Sequence, residues 1–496
     1  MPGARLQDAF DIWPEDALEA MHSAALKVLA AAGVRVDSPQ VREVLLGAGC
    51  LPGPADRVLI PAEVVVDALA ACPPAFVLVA RDRARSLPVD PTPGPTFVHN
   101  MGAAAEISDP RTGEQRRATL RDQALLARVM HRLRHQDTLT PLVQPGDVPD
   151  QLEPMYSYLV LANETDKYVG GPGISFARQT EHLIHMSTAL TGVEGGAGRY
   201  PLDLAFSPVS PLILGRDVGE ALVDAARSGA VACEILPCPA AATTAPAAIS
   251  AAVAQQHAEV LAGVVLAQAA ASGTPVYYGP RLSAVDPRTG AVLSGTPETG
   301  VASIAATLLA RRCGLACDCY GPTSDSKVLD TQFGQERGIN ALLGLLARPR
   351  FLSGIGDVAA GASTNLESLV IDDDVLAGAF YGVTPRPWDA DALNVQAMVD
   401  GVLSGNGFLG SRHTRRYLRE EFVAPAVSYR GGLGDWLASG HAGVVDLATE
   451  KVQQMIAEPP VGLPAGIAER LCALIDAAAR ELGVAQWPDP RRVLGN

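Results

Sequence analysis

The densest group of chemically active side chains in this sequence is TSDSKVLDTQFGQE, residues 323–336. Asp325 and Lys327 are a carboxylate and an amine two residues apart, a pair suited to proton transfer or to holding a charged ligand. Helix capping by Ser324 or Asp325 is the structural alternative, because both residue types start helices well. Ser324-x-x-Lys327 also matches a serine-acylation motif, but neither Ser-Asp-Asn nor Lys-Thr-Gly accompanies it. Asp325 and Lys327 are therefore candidate catalytic residues, and Gln332 is a candidate for ligand binding.

A third catalytic candidate is Glu259, inside the helical pattern QQHAEVLAGVVLAQ of residues 255–268. With Gln255 and Gln256 it forms either a polar stripe aimed at neighbouring strand ends or a solvated helix face. His257-x-Glu259 matches part of the zinc deaminase signature, but no Pro-Cys-x-x-Cys follows. Glu259 is therefore a candidate that would act without a metal.

A single histidine, His413, lies in the basic segment SRHTRR, residues 411–416. Arginines beside it, such as Arg412, are suited to a carboxylate or phosphate group. The structural alternatives are a packed histidine and exposed charges on the first turn of a helix. His413 is retained as a candidate for substrate binding.

The cysteines do not form a metal motif. Eight of them are scattered through the chain and do not make a disulfide framework. Cys313, Cys317 and Cys319 are close in sequence, but no His-x-x-Glu-His or Cys-x-x-Cys set completes a tetrahedral site. We expect small core cysteines and no metal bound directly by this chain.

The elements that position these residues alternate regularly along the chain. From about residue 138, short apolar runs ending in Gly, Pro, Ser or Asp are each followed by a helical stretch. Eight such alternations predict an α/β fold, namely a closed (β/α)8 TIM-type barrel, with an open doubly wound sheet as the competing architecture. The runs cover residues 139–144, 167–171, 203–208, 231–237, 275–280, 316–322, 350–356 and 407–411.

This alternation of strands and helices divides the chain into three parts. We expect an N-terminal α+β extension over residues 1–135, the barrel over 136–425, and a C-terminal helical tail over 426–496 that packs on the barrel. Barrel enzymes build their active sites from the carboxyl ends of the strands. The polar residues at these positions are Gln144, Asp147, Lys167, Ser207, Ser210, Glu234, Thr243, Thr244, Tyr277, Tyr278, Arg281, Tyr320, Thr323, Ser324, Asp325, Ser326, Lys327, Asp357, Arg412, His413 and Thr414.

Composition narrows the class of protein. The 496 residues are 48% hydrophobic and 19% charged, which is too apolar for a disordered chain. A net charge of −15 makes nucleic acid and anionic membranes poor partners and leaves small cationic ligands open. The N-terminus lacks the apolar core of a signal peptide, and no apolar run reaches the roughly 18 residues of a membrane span. We expect a soluble cytoplasmic protein, and the low charge fraction favours subunit contacts in a homo-oligomer.

An ordered series of motifs carries a family resemblance. The series is IPAEVV (60–65), SDPRTGEQRRAT (108–119), NETDK (163–167), SPVSPL (207–212), TTAP (243–246), AEVLAGVVLAQ (258–268), GTPE (295–298), TSDSKVLDTQFGQE (323–336) and GFLGSRHT (407–414). From about residue 15 to about residue 456 it resembles the trimethylamine methyltransferase family. The resemblance implies a TIM-type barrel that presents a methylamine or a quaternary amine to the corrinoid (cobalamin) of a separate corrinoid-binding protein.

The branch of that family matters for the substrate. Some members carry pyrrolysine and use it on trimethylamine, whereas this chain contains only the twenty ordinary residue types. It is similar to the non-pyrrolysine branch, which implies a quaternary amine such as glycine betaine, carnitine or proline betaine. A quaternary nitrogen leaves as a neutral amine once its methyl group is displaced, so its departure needs no general acid.

The work left to the protein is to position a cation, which aromatic faces and carboxylates attract. Alternation along a strand sends only one of the adjacent residues Tyr277 and Tyr278 inward. The cage candidates are Tyr277, Tyr278, Tyr320, Phe176 and Phe408; Asp325, Glu259 or Glu298 would add negative charge, and Lys327, Arg281, Arg412 or His413 would hold a betaine carboxylate.

Two other readings stay open at this point. The barrel could pass methyl groups to a non-corrinoid acceptor such as a folate, or act on an amine as a diverged lyase or hydrolase. The chain could also be a non-catalytic binding or scaffold protein. That last reading predicts no open cavity at the carboxyl ends of the strands.

Overall fold

Helices and parallel strands alternate along most of the chain, so the protein is α/β, as the sequence predicts. The computed structural model describes residues 12–171, 178–386, 388–405 and 407–494. Its helices are Glu15–Ala31, Pro39–Gly47, Ala62–Ala71, Leu120–Arg132, Glu153–Glu164, Gln179–Thr191, Arg216–Ser228, Ile249–Ala270, Pro297–Arg312, Thr331–Leu346, Leu366–Val383, Ala390–Leu393, Val395–Ser404, Arg412–Glu420, Leu433–Ala438, Val444–Ala457, Ala465–Glu481 and Pro490–Leu494.

Two all-parallel sheets form the centre of the structure. The first has five strands, in the order Tyr168–Val169, Thr138–Leu139, Phe97–Asn100, Phe351–Ile355 and Asp318–Tyr320. The second has three strands, in the order Leu202–Phe206, Val231–Ile235 and Val276–Tyr278.

Two contacts join these sheets at their edges. Tyr278 forms a parallel bridge with Cys317, at the start of the 318–320 strand. At the other edge, the Gly171 N–H donates to the Asp203 carbonyl at 3.0 Å, next to the 168–169 strand. The eight parallel strands therefore lie side by side, with a backbone contact at each junction.

The positions of the first and last strands differ from the sequence prediction. The 97–100 strand, which the pattern assigns to the N-terminal extension, pairs with both the 138–139 and 351–355 strands. The strand expected at 407–411 is wrong, because the described residues there form turns and bends. Gly407 takes a left-handed φ of 64° and Leu409 is 82% exposed, so this run has neither a ladder partner nor a buried face.

Small sheets and hairpins surround the parallel strands. Strands Val34–Val36, Leu51–Pro52, Arg57–Leu59 and Ile213–Leu214 form one sheet. A second sheet consists of strands Phe76–Leu78, Leu87–Val89 and Arg199–Tyr200, and a third consists of Glu106–Ser108, Gln115–Arg117 and Ser363–Thr364. Strand Ala284–Val285 pairs with Val292–Leu293.

The 249–270 helix is long and apolar enough to cross a membrane by length and composition, but 78% of its apolar window is buried inside the protein. It packs against the N-terminal 15–31 helix and against strand 231–235. Gly263 allows this contact, because a Cβ there would lie 2.5 Å from the Ile235 side chain. The helix is therefore a core element of the fold.

The C-terminal part contains two kinds of helix. Helices 444–457 and 465–481 bury apolar residues such as Val452 and Leu471 against the rest of the chain. Helices 390–393, 395–404, 412–420 and 433–438 contain no buried residue. We call residues 384–438, apart from the undescribed positions 387 and 406, the exposed segment.

Side chains alternate along the parallel strands. Residues such as Leu204, Ile235 and Leu352 belong to the main apolar core. The intervening positions face a cavity and are polar or aromatic. They include His99, Asp203, Glu234, Tyr277, Asp318, Tyr320, Phe351 and Ser353.

Candidate active site

A cavity of about 470 Å³ lies at the carboxyl ends of the parallel strands. Its volume is in the range of small-molecule sites, roughly 300–1,000 Å³. Exposed lining residues at Gly102, Ala103, Gln144 and Cys238 mark where it reaches the surface. The cavity is therefore an accessible site at the end of the sheet where α/β proteins bind ligands.

A network of buried charges forms one wall. Asp318 Oδ2 accepts hydrogen bonds from Arg281 Nη2 at 2.6 Å and from His99 Nε2 at 2.9 Å. Arg281 Nη2 also lies 3.4 Å from Glu234 Oε1. The guanidinium lies over the Tyr320 ring, 4.9 Å from its centroid.

The protonation of this network follows from its burial. Burial and the neighbouring Asp318 carboxylate raise the pKa of Glu234 well above its ordinary value, so Glu234 keeps its proton. Burial alone would also raise the pKa of Asp318, but Arg281 and His99 hold it below its ordinary value. The pair is thus one neutral carboxylic acid beside one carboxylate.

A second carboxylate, Asp203, organises another part of the cavity wall. Its Oδ2 accepts from the Tyr277 hydroxyl at 2.5 Å and its Oδ1 accepts from the Tyr168 hydroxyl at 2.7 Å. Burial, followed by the charge of Asp203, raises the pKa of both phenols well above the usual value. Both hydroxyls therefore stay protonated, and the two aromatic rings are held in fixed orientations.

The described lining carries more negative than positive charge. Asp203 and Asp318 are carboxylates and Arg281 is a cation, whereas Glu234 is protonated and burial raises the pKa of Glu153 to about 7. Arg281 donates from both terminal nitrogens to Pro280, Asp318 and Glu234. Most N–H groups of the Arg281 guanidinium therefore already donate to protein oxygens. The arrangement suits a small cation bound among carboxylates and aromatic rings.

The structure brings three of the candidate substrate-binding residues to this cavity, Tyr277, Tyr320 and Arg281, together with the strand-end residues Gln144, Ser207 and Glu234. Tyr278 faces the other side of its strand, where its hydroxyl lies 3.1 Å from His257 Nδ1. Phe176 lies outside the described residues. Phe408 is 46% exposed in the exposed segment and does not line the cavity.

The cluster in residues 323–336 does not line the cavity. The carboxylate of Asp325 accepts from the backbone N–H groups of Ser294 and Gly295 at 2.8 and 3.0 Å, and so ties two loops together. Lys327 is exposed and donates to the Asp325 carbonyl at 2.5 Å. Gln332 is exposed and bonds to Glu336 one helical turn away.

The remaining candidates are also outside the cavity lining. Glu259 accepts from the Ser210 hydroxyl at 2.8 Å and the Leu212 N–H at 2.9 Å, which fixes the SPVSPL loop. Glu298 is exposed on the first turn of the 297–312 helix. His413 is half-buried, and its Nε2 lies 3.0 Å from the Ala392 carbonyl within the exposed segment.

Sequence reasoning missed His99, Asp203, Asp318 and Tyr168 as site residues, and it noted Glu234 only as a strand-end residue. These residues lie inside strands, one to three positions before the carboxyl ends, whereas the prediction considered residues at or after those ends. The available signal was a charged residue in a run that is otherwise apolar, such as Asp318 in ACDCYGP and Asp203 in DLAFSP.

Comparison with known proteins covers nearly the whole chain. The family model described as trimethylamine methyltransferase (MTTB) matches residues 4–483. A trimethylamine methyltransferase MttB from Methanosarcina thermophila is 28% identical over 455 residues, 90% of this chain and 92% of its own length. A glycine betaine methyltransferase from Desulfitobacterium hafniense (strain Y51) is 26% identical over 483 residues, 97% of this chain and 99% of its own length. Among solved structures, the monomethylamine methyltransferase MtmB of Methanosarcina barkeri has a TM-score of 0.49 at 14% identity, covering 90% of this chain and 94% of that chain.

Proposed function

The chain belongs to the trimethylamine methyltransferase family, and from this premise we propose that it moves a methyl group from a small quaternary amine to the corrinoid of a partner protein. The feature that supports this reaction most directly is the cavity, where buried carboxylates and tyrosine rings surround a space of about 470 Å³. A quaternary ammonium group cannot donate a hydrogen bond, so ring faces and nearby negative charge are what can hold it.

We further propose that the eight parallel strands close into a (β/α)8 barrel. The Tyr278–Cys317 bridge and the hydrogen bond from Gly171 to Asp203 support closure at the two edges between the sheets. The barrel would begin with the 97–100 strand and end with the 351–355 strand and the Leu366–Val383 helix. Residues before 97 would form the N-terminal extension, and residues after 383 would be the attached helices.

In this proposal the cavity residues bind and orient the substrate. Asp203 fixes the rings of Tyr168 and Tyr277 through their hydroxyls, so both rings can face the cation without rearrangement. Asp318 supplies fixed negative charge, while His99 and Arg281 hold that carboxylate in place. Positioning of this kind lowers the barrier because the methyl carbon is held ready for in-line attack.

The acceptor belongs to another protein. A corrinoid supplies a nucleophilic cobalt centre for methyl groups when it is bound by its carrier. This chain's own contribution would be the exposed rim at Gly102, Ala103, Gln144 and Cys238, where the cavity reaches the surface. A volume of about 470 Å³ fits the small donor, so the acceptor has to be presented from outside at this rim.

Glycine betaine and related betaines are the donors that we propose testing first, because a protein with that name is among the relatives. The departing amine would be neutral and would need no proton from the cavity. This is consistent with the protonated carboxyl of Glu234, which interacts with Asp318 and Arg281 and not with the substrate. We also propose that the chain works as a homo-oligomer in the cytoplasm, with a second copy covering the exposed segment. Direct metal binding is not required for this reaction.

The test is a donor panel assayed with reduced cobalamin. Purified full-length chain is incubated with glycine betaine, carnitine, proline betaine, choline, tetramethylammonium and trimethylamine, and methylcobalamin formation is followed by absorbance. We expect methylcobalamin with at least one quaternary amine and none with trimethylamine. No methylcobalamin from any donor would overturn the proposal.

A parallel arm replaces cobalamin with tetrahydrofolate and measures methyltetrahydrofolate. Methylation of folate without methylation of cobalamin would favour the alternative acceptor. Binding of a quaternary amine measured by calorimetry, with no transfer to either acceptor, would favour a binding protein.

A further inference from the structure

Three metal-ligating side chains from three separate helices meet away from the cavity. They are His22 on the 15–31 helix, His257 on the 249–270 helix, and Cys313 at the end of the 297–312 helix. Their ligand atoms all lie within 4.8 Å of one another. None of the three lines the cavity, so the methyl-transfer proposal makes no use of them.

The geometry of the group is close to that of a metal site. His22 Nδ1 is 2.9 Å from His257 Nε2, and Cys313 Sγ is 4.0 Å from the same His257 nitrogen. In a tetrahedral zinc site with Zn–N near 2.0 Å and Zn–S near 2.3 Å, ligand atoms are roughly 3.3–3.6 Å apart. The 2.9 and 4.0 Å separations lie close to these values and the third pair lies within 4.8 Å, so side-chain shifts of about 1 Å would bring all three atoms around one ion.

The groups around the three side chains favour binding of a metal ion. The other ring nitrogen of His257, Nδ1, lies 3.1 Å from the Tyr278 hydroxyl, a contact that can fix the ring orientation as an outer-sphere partner does at metal sites. The nearby Arg312 is ion-paired with Glu15 and Glu19, so its cation is balanced locally.

We propose that His22, His257 and Cys313 bind one Zn²⁺ ion, with water as the fourth ligand. Two imidazoles and one thiolate are ligands that zinc accepts, and His22 and Cys313 are only partly buried, which leaves room for water. On binding, the Cys313 thiol gives its proton to solvent and its sulfur bonds to the ion, with no change in oxidation state. The ion joins the N-terminal helix to two helices that flank the parallel strands.

The competing explanation is a chain of hydrogen bonds from His22 through His257 to Tyr278, which needs neither a metal nor Cys313. The two explanations differ in what Cys313 does. The hydrogen-bond chain predicts that replacing Cys313 changes nothing at the histidines, whereas coordination predicts that metal binding is lost.

The test measures zinc on the full-length chain, purified without metal-affinity chromatography, stripped with chelator and reloaded with Zn²⁺. We expect about one zinc per chain by mass spectrometry of the metal, and at least a 100-fold weaker zinc affinity in His22→Ala and Cys313→Ala. Tyr278→Phe should weaken binding by about 10–100-fold, the usual effect of losing an outer-sphere partner. The matched controls are His185→Ala, on an exposed helix face, and Cys472→Ala, a buried cysteine elsewhere, and both should bind zinc as the parent does.

Cobalt provides a readout that does not depend on variant stability. Co²⁺ added to the stripped parent should give a thiolate-to-cobalt charge-transfer band together with visible bands typical of tetrahedral cobalt. The proposal is overturned if the parent binds no stoichiometric zinc and shows no such band, or if Cys313→Ala binds zinc as tightly as the parent.

Discussion

The cavity wall and the exposed segment use their side chains in opposite ways. In the cavity wall, charged groups are buried and each has a partner from the same chain, as Asp318 has in Arg281 and His99. In the exposed segment, large apolar side chains face outward, and Trp388, Leu403 and Leu409 are each at least 80% exposed. The first region pairs its buried charges within one chain, whereas the second leaves large apolar side chains facing solvent.

The difference bears on our proposal that a second copy covers the exposed segment. Burying a charge is tolerated only with good hydrogen-bonded partners, and the cavity supplies them. Contiguous exposed apolar surface in a water-soluble protein marks an interaction site. Four helices of the exposed segment bury no residue, and this is the observation behind our proposal that a second copy covers them.

The largest effect is expected from Asp318→Asn, which tests whether the buried charges of the cavity wall depend on each other. The substitution leaves the buried Arg281 guanidinium without its closest carboxylate, so we expect the free energy of unfolding to fall by about 3–5 kcal/mol. Methyl transfer should also be lost. Urea unfolding and the cobalamin assay measure the two effects.

Asp37→Asn is the matched control, because Asp37 pairs with Arg35 at 3.0 Å on the exposed surface. Exposed ion pairs contribute about 0–1 kcal/mol. Equal losses of stability in Asp318→Asn and Asp37→Asn would remove the contrast between the two kinds of pair.

The second effect depends on pH. Glu153 has an ordinary pKa of 4.5 and a pKa of about 7 in the folded chain, because it is buried. Its protonated form therefore stabilises the fold fully below pH 4.5, and this stabilisation, worth roughly 3 kcal/mol, is lost as the pH rises through 7. Glu153→Gln should match the parent near pH 4.5 and be more stable at pH 8.

Urea unfolding of both proteins at several pH values checks this. The exposed side chain of Glu298 provides the control, since Glu298→Gln removes no buried group and should change the free energy of unfolding by less than about 1 kcal/mol. A Glu153→Gln difference that does not grow with pH would contradict the burial of that carboxyl.

A third, smaller effect concerns the ring of Tyr277. Tyr277→Phe and Tyr277→Leu both lose the hydroxyl contact with Asp203, but only Tyr277→Leu also loses the aromatic face. A cation held by that face should bind about 2–30-fold more weakly to Tyr277→Leu than to Tyr277→Phe. The ratio of their KM values for the active amine measures this, and equal KM values would exclude the ring from the cation site.

The smallest effect on folding, but a large one on assembly, is expected in the exposed segment. Leu403→Glu should change the free energy of unfolding by less than about 0.5 kcal/mol, since this side chain is 80% exposed. It should nevertheless shift the protein to smaller species in sedimentation velocity. Leu51→Glu, at a 53% exposed position outside the segment, is the control and should leave the oligomer intact. Assembly of Leu403→Glu like that of the parent would show that this surface is not an interface between copies.

Helices could be predicted closely from the sequence, because periodicity and local capping signals determine their ends. The sequence pattern of residues 119–134 predicts a helix, which is Leu120–Arg132 in the structure, where Thr119 and Asp122 form a capping box. The pattern also predicts a helix over 216–228, and the structure has it with these bounds, followed by Gly229 in the left-handed conformation.

The choice of strands could not be predicted as well, because pairing is decided by partners far along the chain. The 97–100 and 407–411 runs look alike as short apolar segments, and only the first finds the 351–355 strand beside it. The same limit applies to the site. The expectation that site residues lie at the carboxyl ends of strands predicts Tyr277, Tyr320 and Arg281 correctly. It fails for Asp325, because both carboxylate oxygens of this residue accept hydrogen bonds from backbone N–H groups of a loop.

Gly171, at the junction between the 168–169 and 202–206 strands, has a consequence for solubility. A Cβ at this position would lie 2.2 Å from the Asp203 carbonyl oxygen, so any other residue forces the two strands apart. In the closed barrel that we propose, parting them would leave two unpaired strand edges, and such edges template pairing between chains. We therefore expect Gly171→Ala to aggregate more readily than the parent protein.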